Sequence, residues 1–181
     1  MEWLDLVDEN GEPTGERVTR EEAHAKGLRH RTAHVWLARR LGNRVQILLQ
    51  KRSENKDSHP GCYDISSAGH IPAGVDFNPS ALRELKEELG YTARPEQLIL
   101  CGQRRVCVDD VFHGKPFHDR QVSRVYLIWV EDEPTFTLQT EEVSAVRWID
   151  LDDCLRAVSE NSFPHCISLE ELHLLEAKLR T

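Results

Sequence analysis

Residues 69–91 read GHIPAGVDFNPSALRELKEELGY and contain the clearest local structural signals in the chain. Asn78 is a residue type that caps helix N-termini, and Pro79 suits the first helical position because it lacks an N–H that would stay unpaired there. Gly90 is typical of the residue that follows a helix, where a left-handed backbone is required. The segment therefore predicts a helix that begins at Asn78 and ends at Gly90.

The predicted helix carries an acidic stripe beside an apolar stripe. At about 100° per residue, Glu84, Glu87 and Glu88 fall within roughly a 100° arc of the helix surface. The neighbouring arc carries the apolar residues Ala81, Leu82, Leu85 and Leu89. One stripe can therefore pack on a core while the other presents three carboxylates to one point.

Crowding these carboxylates has a cost, because like charges four residues apart destabilise a helix by about 0.2–0.5 kcal/mol. A bound divalent cation would reverse that cost, and the hard ions Mg²⁺ and Mn²⁺ prefer carboxylate and carbonyl oxygens. The alternative interpretation is a solvated helix face, on which Arg83 and Lys86 balance the acids. The helix by itself leaves both interpretations open.

The glycines that flank the helix extend the pattern. The whole segment resembles the Nudix signature: Gly, five residues, Glu, seven residues, Arg-Glu, an aliphatic residue, any residue, Glu-Glu, any residue, Gly and an aliphatic residue. The positions that match in register are Gly69, Arg83, Glu84, Leu85, Glu87, Glu88 and Gly90, with Tyr91 in the final apolar place. One position departs, because Val75 stands where the signature has its first Glu, and the adjacent Asp76 is a candidate substitute.

The resemblance implies a fold and a metal site. The fold is an α+β protein, an α/β/α sandwich in which a mixed β-sheet lies between helices, and the mixture of strand-like and helical segments also favours this architecture. Glu84, Glu87 and Glu88 would bind Mg²⁺ or Mn²⁺, with the Gly69 carbonyl as a further ligand. Arg83 would orient a glutamate by a charge-assisted hydrogen bond, and Glu88 would be the base near the attacking water.

Three charged residues outside the signature are candidates for the same site. Glu142 lies in the region from which the family often takes a second catalytic acid, and the alternative is an ordinary surface acid. Lys51 and Arg52 end a predicted strand, where they are candidates for binding a substrate phosphate. The alternative for these two residues is a solvated strand end.

A narrower resemblance, over roughly residues 3–155, is to the isopentenyl-diphosphate isomerase-like branch of the family. It implies that His24, His30 and His70 form a second metal site, and the alternative is a set of hydrogen-bonded loop histidines. The catalytic cysteine of the isomerase falls on Ala68, which has no thiol for proton transfer. The resemblance therefore favours a hydrolase built on the isomerase-like branch.

The remaining sequence predicts a single domain over residues 1–181, without a linker. Turn residues predict an N-terminal hairpin over 3–17, and Thr19 with Glu22 predicts a capping box for a short helix that ends near Gly27. We expect strands over 32–39, 45–51, 98–108, 122–130 and 143–149, mostly loop over 53–69, and closing helices from Asp150 and Ser168. Residues 109–119 are turn-rich and aromatic, which indicates a specificity loop or an ordinary hairpin connection.

Composition limits the partners that we expect. A formal net charge of −8 over 181 residues disfavours binding to nucleic acid or to an anionic membrane. No apolar stretch approaches the roughly 20 residues that span a bilayer, and the N-terminus has no signal-peptide pattern. Five cysteines without a CxxC pair favour reduced thiols in the cytoplasm. The oligomeric state stays open, a homodimer included.

The expected function is hydrolysis of a phosphoanhydride bond in a small organic or nucleoside diphosphate, with Mg²⁺ as the cofactor and metal-activated water as the nucleophile. One alternative is isopentenyl-diphosphate isomerisation, which Ala68 disfavours. The other is a catalytically weak diphosphate-binding module, which the departure at Val75 motivates.

Overall fold

The computed structural model describes residues 1–131 and 133–180. Its elements begin with β1 (Trp3–Val7), β2 (Pro13–Thr19), α1 (Arg20–Lys26), β3 (His30–Leu41), β4 (Arg44–Arg52), β5 (Tyr63–Asp64), β6 (Ser67–His70) and α2 (Phe77–Leu89). After a 3₁₀ turn (Pro95–Gln97) follow β7 (Ile99–Phe112), β8 (Lys115–Trp129), β9 (Val143–Asp150), α3 (Leu151–Ser159) and α4 (Leu169–Leu179).

Strand β3 is the centre of a mixed sheet. It pairs in parallel with β8 on one side, and antiparallel with β6 and then β4 on the other side. The strand order is β5–β4–β3–β8–β7, with β9 on β4. Most of β3 is buried on both faces, which explains its nearly continuous run of apolar residues. The predicted mixed sheet is confirmed.

Helices cover both faces of this sheet. On one face, α2 packs Ala81, Leu85 and Leu89 against alternate residues of β3, such as Val35 and Leu37. On the other face, α3 and α4 cover the intervening residues of β3 and β4. The buried members of that second layer include Trp36, Ala38, Ile47, Leu49, Cys154, Leu172 and Leu175. The two layers confirm the predicted α/β/α sandwich.

Helix α2 begins earlier than its local sequence signals predict. Its N-cap is Asp76, whose Oδ1 accepts the Phe77 N–H at 2.7 Å, so the prediction of Asn78 as the cap was wrong. Phe77 is buried in the core, which extends the helix by a tertiary contact. Asn78 instead accepts a 2.7 Å hydrogen bond from the Tyr126 hydroxyl. The predicted end holds, because Gly90 takes a left-handed backbone with φ of 66°.

Two segments expected to be irregular form strands. Within residues 53–69, β5 pairs with β4, and the first part of β6 pairs with β3. Within residues 109–119, β7 and β8 continue to a two-residue turn at His113 and Gly114, whose φ angles are 51° and 74°. Positive φ at both positions is the geometry of a tight hairpin turn. Of the two alternatives for residues 109–119, the hairpin connection is therefore the one that forms, as the tip of a β7–β8 hairpin whose strands are longer than expected.

The N-terminal residues position α1 beside the sheet. Strands β1 and β2 form an antiparallel hairpin, and Leu4, Val18 and Ala23 make a small core under it. The Thr19 hydroxyl caps α1 by accepting the Glu22 N–H at 3.3 Å, and Gly27 ends the helix. The cap fixes the direction in which α1 carries its side chains.

The chain is held together without covalent cross-links among its cysteines. All five cysteines, at positions 62, 101, 107, 154 and 166, are free thiols. Within residues 1–131 and 133–180, none of the helices is long and apolar enough to cross a bilayer.

Gly90 and Gly42 allow a matched test of the α2 terminus. Both have left-handed φ, but an added Cβ at Gly90 would lie 2.8 Å from Thr137 Cβ, whereas one at Gly42 would meet no atom within 4 Å. We expect Gly42→Ala to lower the free energy of unfolding by about 1–2 kcal/mol, the cost of a left-handed backbone. Gly90→Ala should cost roughly 1–3 kcal/mol more, because Thr137 must shift. Urea unfolding measures both values, and equal losses would contradict this account.

Candidate active-site cleft and metal centre

A cleft of about 400 Å³ lies beside β6, where several elements meet. Helix α2 supplies one wall, while the β7–β8 hairpin, α1 and the 53–62 loop supply others. The sequence-predicted site residues that line it are Gly69, Glu84, Glu87, Glu88, Arg83, Arg52, Glu142, His24 and His70. The fold therefore gathers residues that are up to 118 positions apart, from His24 to Glu142.

Three glutamates enter the cleft from α2 with different exposures. Glu88 is only 5% exposed, and its Oε2 accepts the Ala68 N–H and a Gln50 side-chain N–H, each at 3.3 Å. Burial raises the pKa of Glu88. Burial also raises the pKa of Glu84 to about 7, against the opposing effect of Arg83. Glu87 remains 52% exposed at the mouth of the cleft.

Arg83 lies between two of these carboxylates. Its Nη2 contacts Glu84 Oε1 at 2.5 Å, and its Nη1 lies 3.6 Å from Glu87 Oε2. The same guanidinium reaches the His70 carbonyl at 3.4 Å. Arg83 thus holds Glu84 and Glu87 close to the strand that carries Gly69 and His70.

Gly69 is required because Glu84 crosses directly over it. A Cβ placed on Gly69 would lie 2.1 Å from Glu84 Cδ and 2.3 Å from its Cγ. No side chain can occupy that space while Glu84 keeps its position. The glycine therefore brings the β6 backbone and the α2 carboxylates together.

Val75 does not take the place of the missing glutamate. It packs partly buried against the core beneath α2, and its carbonyl accepts a 2.9 Å hydrogen bond from Arg31. Asp76 uses its carboxylate to cap α2. Among the described residues, Arg83 therefore contacts Glu84, Glu87 and the His70 carbonyl, and position 75 offers it no carboxylate.

A second cluster joins α1, β3 and β6. One ring nitrogen from each of His24, His30 and His70 can be chosen so that all three lie within 4.8 Å of one another. The His24 and His70 Nε2 atoms are 3.1 Å apart. Burial lowers the pKa of all three, that of His24 to about 4, so the rings are neutral near pH 7. Neutral imidazoles are the form that binds metals.

Asp119 completes this cluster from β8. Its Oδ1 lies 3.8 Å from both His24 Nδ1 and His30 Nε2, and those three buried atoms have no hydrogen-bond partner among the described residues. Burial raises the pKa of Asp119 to about 6. Sequence reasoning missed Asp119 because it placed residues 109–119 in a specificity loop or a hairpin connection, and not in a strand that reaches the histidines. The signal that could have found it is the strand-like continuation towards Val122.

The remaining predicted residues differ in their placement. Arg52 lines the cleft, where it donates to Asp64 at 3.1 Å and to the Ser58 carbonyl. Glu142 pairs there with Lys56, a cleft residue that the predicted site did not include. Lys51 is not among the described residues that line the cleft, so its role beside Arg52 stays a prediction.

The geometry agrees with comparisons to known proteins. Residues 28–166 match the NUDIX domain family. The chain belongs to this family. It is a Nudix hydrolase. Over 86% of its length it is 38% identical to an uncharacterised Nudix hydrolase of Clostridium acetobutylicum, and the match covers 73% of that relative. It is 41% identical over 84% of its length to Nudix hydrolase 3 of Arabidopsis thaliana, but spans only 20% of that longer protein.

Solved structures share the fold of this Nudix hydrolase at low sequence identity. A Deinococcus radiodurans protein has a TM-score of 0.69 at 19% identity, covering 97% of this chain and 98% of its own. The NUDIX domain of Shewanella oneidensis NrtR, solved with ADP-ribose, has a TM-score of 0.59 at 19% identity, covering 83% of this chain and 86% of its own. A C. elegans Ap4A hydrolase has a TM-score of 0.56 at 22% identity, and the match covers 83% of this chain and 97% of that protein.

The raised pKa of Glu84 predicts a pH dependence of stability in metal-free protein. The folded state keeps a proton on Glu84 up to about pH 7, whereas the ordinary value is 4.5. Between these values the folded state binds more protons, so the free energy of unfolding falls as pH rises, by roughly 1.4 kcal/mol per pH unit at most for one group. With chelator present, Glu84→Gln should flatten this fall in urea unfolding between pH 5 and 8.

Glu87→Gln is the matched control for this experiment. Glu87 lies on the same helix but is half exposed, and its charge contributes less than burial to the raised pKa of Glu84, so its replacement should change the pH dependence much less than Glu84→Gln does. A Glu84→Gln slope indistinguishable from the Glu87→Gln slope would contradict the assignment of the buried proton to Glu84.

Proposed function

We propose that this Nudix hydrolase cleaves a phosphoanhydride bond in a small organic or nucleoside diphosphate with the help of Mg²⁺. The observation that carries the proposal is that Glu84, Glu87 and Glu88 line one cleft together with Gly69, and that Glu84 lies directly over the Gly69 backbone. Three carboxylates with one shared arginine leave excess negative charge, which a cation would neutralise. Hard oxygen donors fit Mg²⁺, and Mn²⁺ shares this preference.

The donor set supports this metal assignment. Glu84, Glu87, Glu88 and the Gly69 carbonyl offer only oxygen atoms. The burial that raises the pKa of Glu84 and Glu88 would be offset by a nearby double positive charge. These residues would hold the ion, which would supply charge neutralisation for the diphosphate and a lowered pKa for a bound water.

The side chains of the cleft have different proposed roles in the reaction. Glu88 is suited to accept a proton from water, because burial raises its pKa and two donors fix its Oε2. Arg83 orients Glu84 and Glu87. Arg52 offers a guanidinium to a phosphate oxygen, and Glu142 holds the neighbouring Lys56.

We also propose that the chain belongs to the isopentenyl-diphosphate isomerase-like branch. The cluster of His24, His30, His70 and Asp119 supports a second metal site there. Two ligands that share an ion at bonds of about 2.1 Å lie roughly 3–4 Å apart, which suits the 3.8 Å separations from Asp119. Ala68 still disfavours isomerisation, since it offers no proton, and hydrolysis remains the proposed reaction.

Other features fit the same proposal. The ADP-ribose and Ap4A named for two structural neighbours belong to those proteins, and they support a nucleotide-derived substrate here. Residues 1–181 are proposed to act as one domain, because Leu4 bridges to Pro72 beside the cleft. Free thiols support a cytoplasmic location. A catalytically weak binding module is less favoured, because Arg83 keeps both glutamate contacts despite Val75.

Glutamine variants test the proposed hydrolysis. Hydrolysis of a panel of nucleotide, sugar-nucleotide and prenyl diphosphates should require Mg²⁺ and stop with chelator. It is measured as inorganic phosphate for terminal diphosphates and as phosphomonoester products for sugar nucleotides. Glu87→Gln and Glu88→Gln should each lower kcat by roughly 10²–10³-fold, the usual loss when a charge-stabilising group is removed. Glu96→Gln, on the exposed 3₁₀ turn, is the control and should retain full activity. Normal turnover in both α2 variants would refute these roles.

Asp119→Asn tests the second metal site. We expect calorimetric titration with Mn²⁺ to give one strong site fewer than the unmodified protein, because an amide is a weaker ligand than a carboxylate. Asp109→Asn is the control, since Asp109 pairs with His118 and Arg120 on the exposed hairpin. An unchanged number of ions in Asp119→Asn would exclude Asp119 as a ligand.

A further inference from the structure

A polar floor lies in the cleft beyond the metal-binding acids. His34 on β3 stands directly opposite Ala68 on β6, one residue from Gly69. Paired residues on neighbouring strands project to the same face, so the small Ala68 side chain leaves space beside the His34 ring. Thr32, Gln121, Arg104 and Glu171 line the same part of the cleft.

Glu171 fixes the His34 ring from α4. His34 Nδ1–H donates to the two Glu171 oxygens, at 3.0 and 2.9 Å. Trp36 Nε1–H donates to the same carboxylate at 3.0 Å, and Arg104 donates to it at 3.1 Å. Glu171 is 2% exposed, so this is a buried and fully hydrogen-bonded carboxylate.

The other nitrogen of His34 is open to a ligand. Among the described residues, its Nε2 makes only a long 3.4 Å contact with the Thr32 hydroxyl. The His34 side chain is 14% exposed, and that exposure is to the cleft. Burial lowers the pKa of His34, but Glu171 outweighs burial, and Asp64 on β5 adds to the rise against Arg104 on β7. With Nδ1–H held by Glu171, a ring that takes up a second proton presents its Nε2–H to the cleft.

This floor is unsuited to a hydrocarbon. Thr32 Oγ1 lies 2.6 Å from Ser123 Oγ and donates to Gln121 Oε1 at 3.1 Å, which continues the polar network from β3 to β8. An alkyl chain lying on these groups would remove water from them without replacing its hydrogen bonds, which is costly. Val106, Val108 and Phe117 also line the cleft, and Val106 pairs with Gln121 across the β7–β8 ladder, so apolar side chains border the polar groups.

We propose that His34, held by Glu171, is a substrate-binding residue whose Nε2–H donates to an acceptor oxygen on the organic group attached to the diphosphate. The substrate is therefore a diphosphate whose organic group carries carbonyl or hydroxyl oxygens, and not a prenyl chain. This inference rests on the proposed hydrolase activity and names the substrate class for it.

Uridine diphosphate and geranyl diphosphate are the probes, because both present a terminal diphosphate and differ in the organic group. Phosphate release with Mg²⁺ gives kcat/KM for each, and calorimetry gives each Kd. We expect the unmodified protein to prefer uridine diphosphate at least tenfold. Phosphate release from either probe supports hydrolysis, while the ratio between the probes tests the inference about His34.

Two His34 variants separate substrate binding from structural support. His34→Asn keeps a donor near Nδ1 for Glu171 but removes the donor at Nε2. His34→Gln keeps a donor near Nε2 and gives up the contact with Glu171. We expect His34→Asn to lose about tenfold to a hundredfold in kcat/KM for uridine diphosphate, the range for a charged hydrogen bond. His34→Gln should stay within a few-fold, and neither should lose activity on geranyl diphosphate.

His173→Gln, on the exposed side of α4, is the control and should match the unmodified protein. Two outcomes would overturn the inference without touching the hydrolase proposal. One is equal loss on both probes in His34→Asn, which indicates a structural role. The other is uridine diphosphate binding no tighter than geranyl diphosphate, including no measurable binding of either probe.

Discussion

The removal of Glu84 and Glu88 from water, on a helix face that they share with Glu87, is the constraint that organises the cleft. These groups share one helix face, and two of them are largely removed from water. Burial of a carboxylate is unfavourable unless hydrogen bonds or opposite charges compensate for it. Arg83, the Ala68 amide and Gln50 supply part of that compensation, and each comes from a fixed place in the fold.

The sheet makes that arrangement rigid. Strand β3 contributes Val35 and Leu37 to the layer under α2, and Trp36 to the opposite layer. Its first half pairs with β6, so the same strand that anchors the core also positions the Gly69 backbone. The closeness of Gly69 and Glu84 therefore results from the packing of α2 on β3. Movement of either element would change the spacing of the acids.

Local sequence was sufficient for the features that depend on local interactions. The end of α2 at Gly90, the Thr19 cap and the acidic stripe all follow from residue type and helical period. The start of α2 was misplaced because the burial of Phe77 is a tertiary effect. Strand β6 was missed because Ser67 to His70 have little strand propensity, and their pairing with β3 stabilises the extended form.

Site residues that belong to one contiguous sequence motif could be predicted. Site residues that come together only when distant strands pair or a helix packs on the sheet could not. Asp119 reaches the histidine cluster only because β8 runs parallel to β3, a register that no local pattern specifies. Glu171 was equally unpredictable, because it lies 137 residues after His34 in the sequence and reaches that ring only through the packing of α4 on the sheet. Lys51 and Arg52 are adjacent in sequence, yet of these two residues Arg52 alone lines the cleft, at a point where the register between β4 and β9 shifts.

The contact between Glu171 and β3 also affects which residues a shortened fragment of the protein must include. The part of the chain that matches the family ends at residue 166, five positions before Glu171. A fragment trimmed to that boundary would lack the carboxylate that receives hydrogen bonds from His34, Trp36 and Arg104. Three donors, the fully buried Trp36 among them, would then lose their acceptor. A fragment cut at the end of the family match would therefore lack part of the structure that holds the cleft.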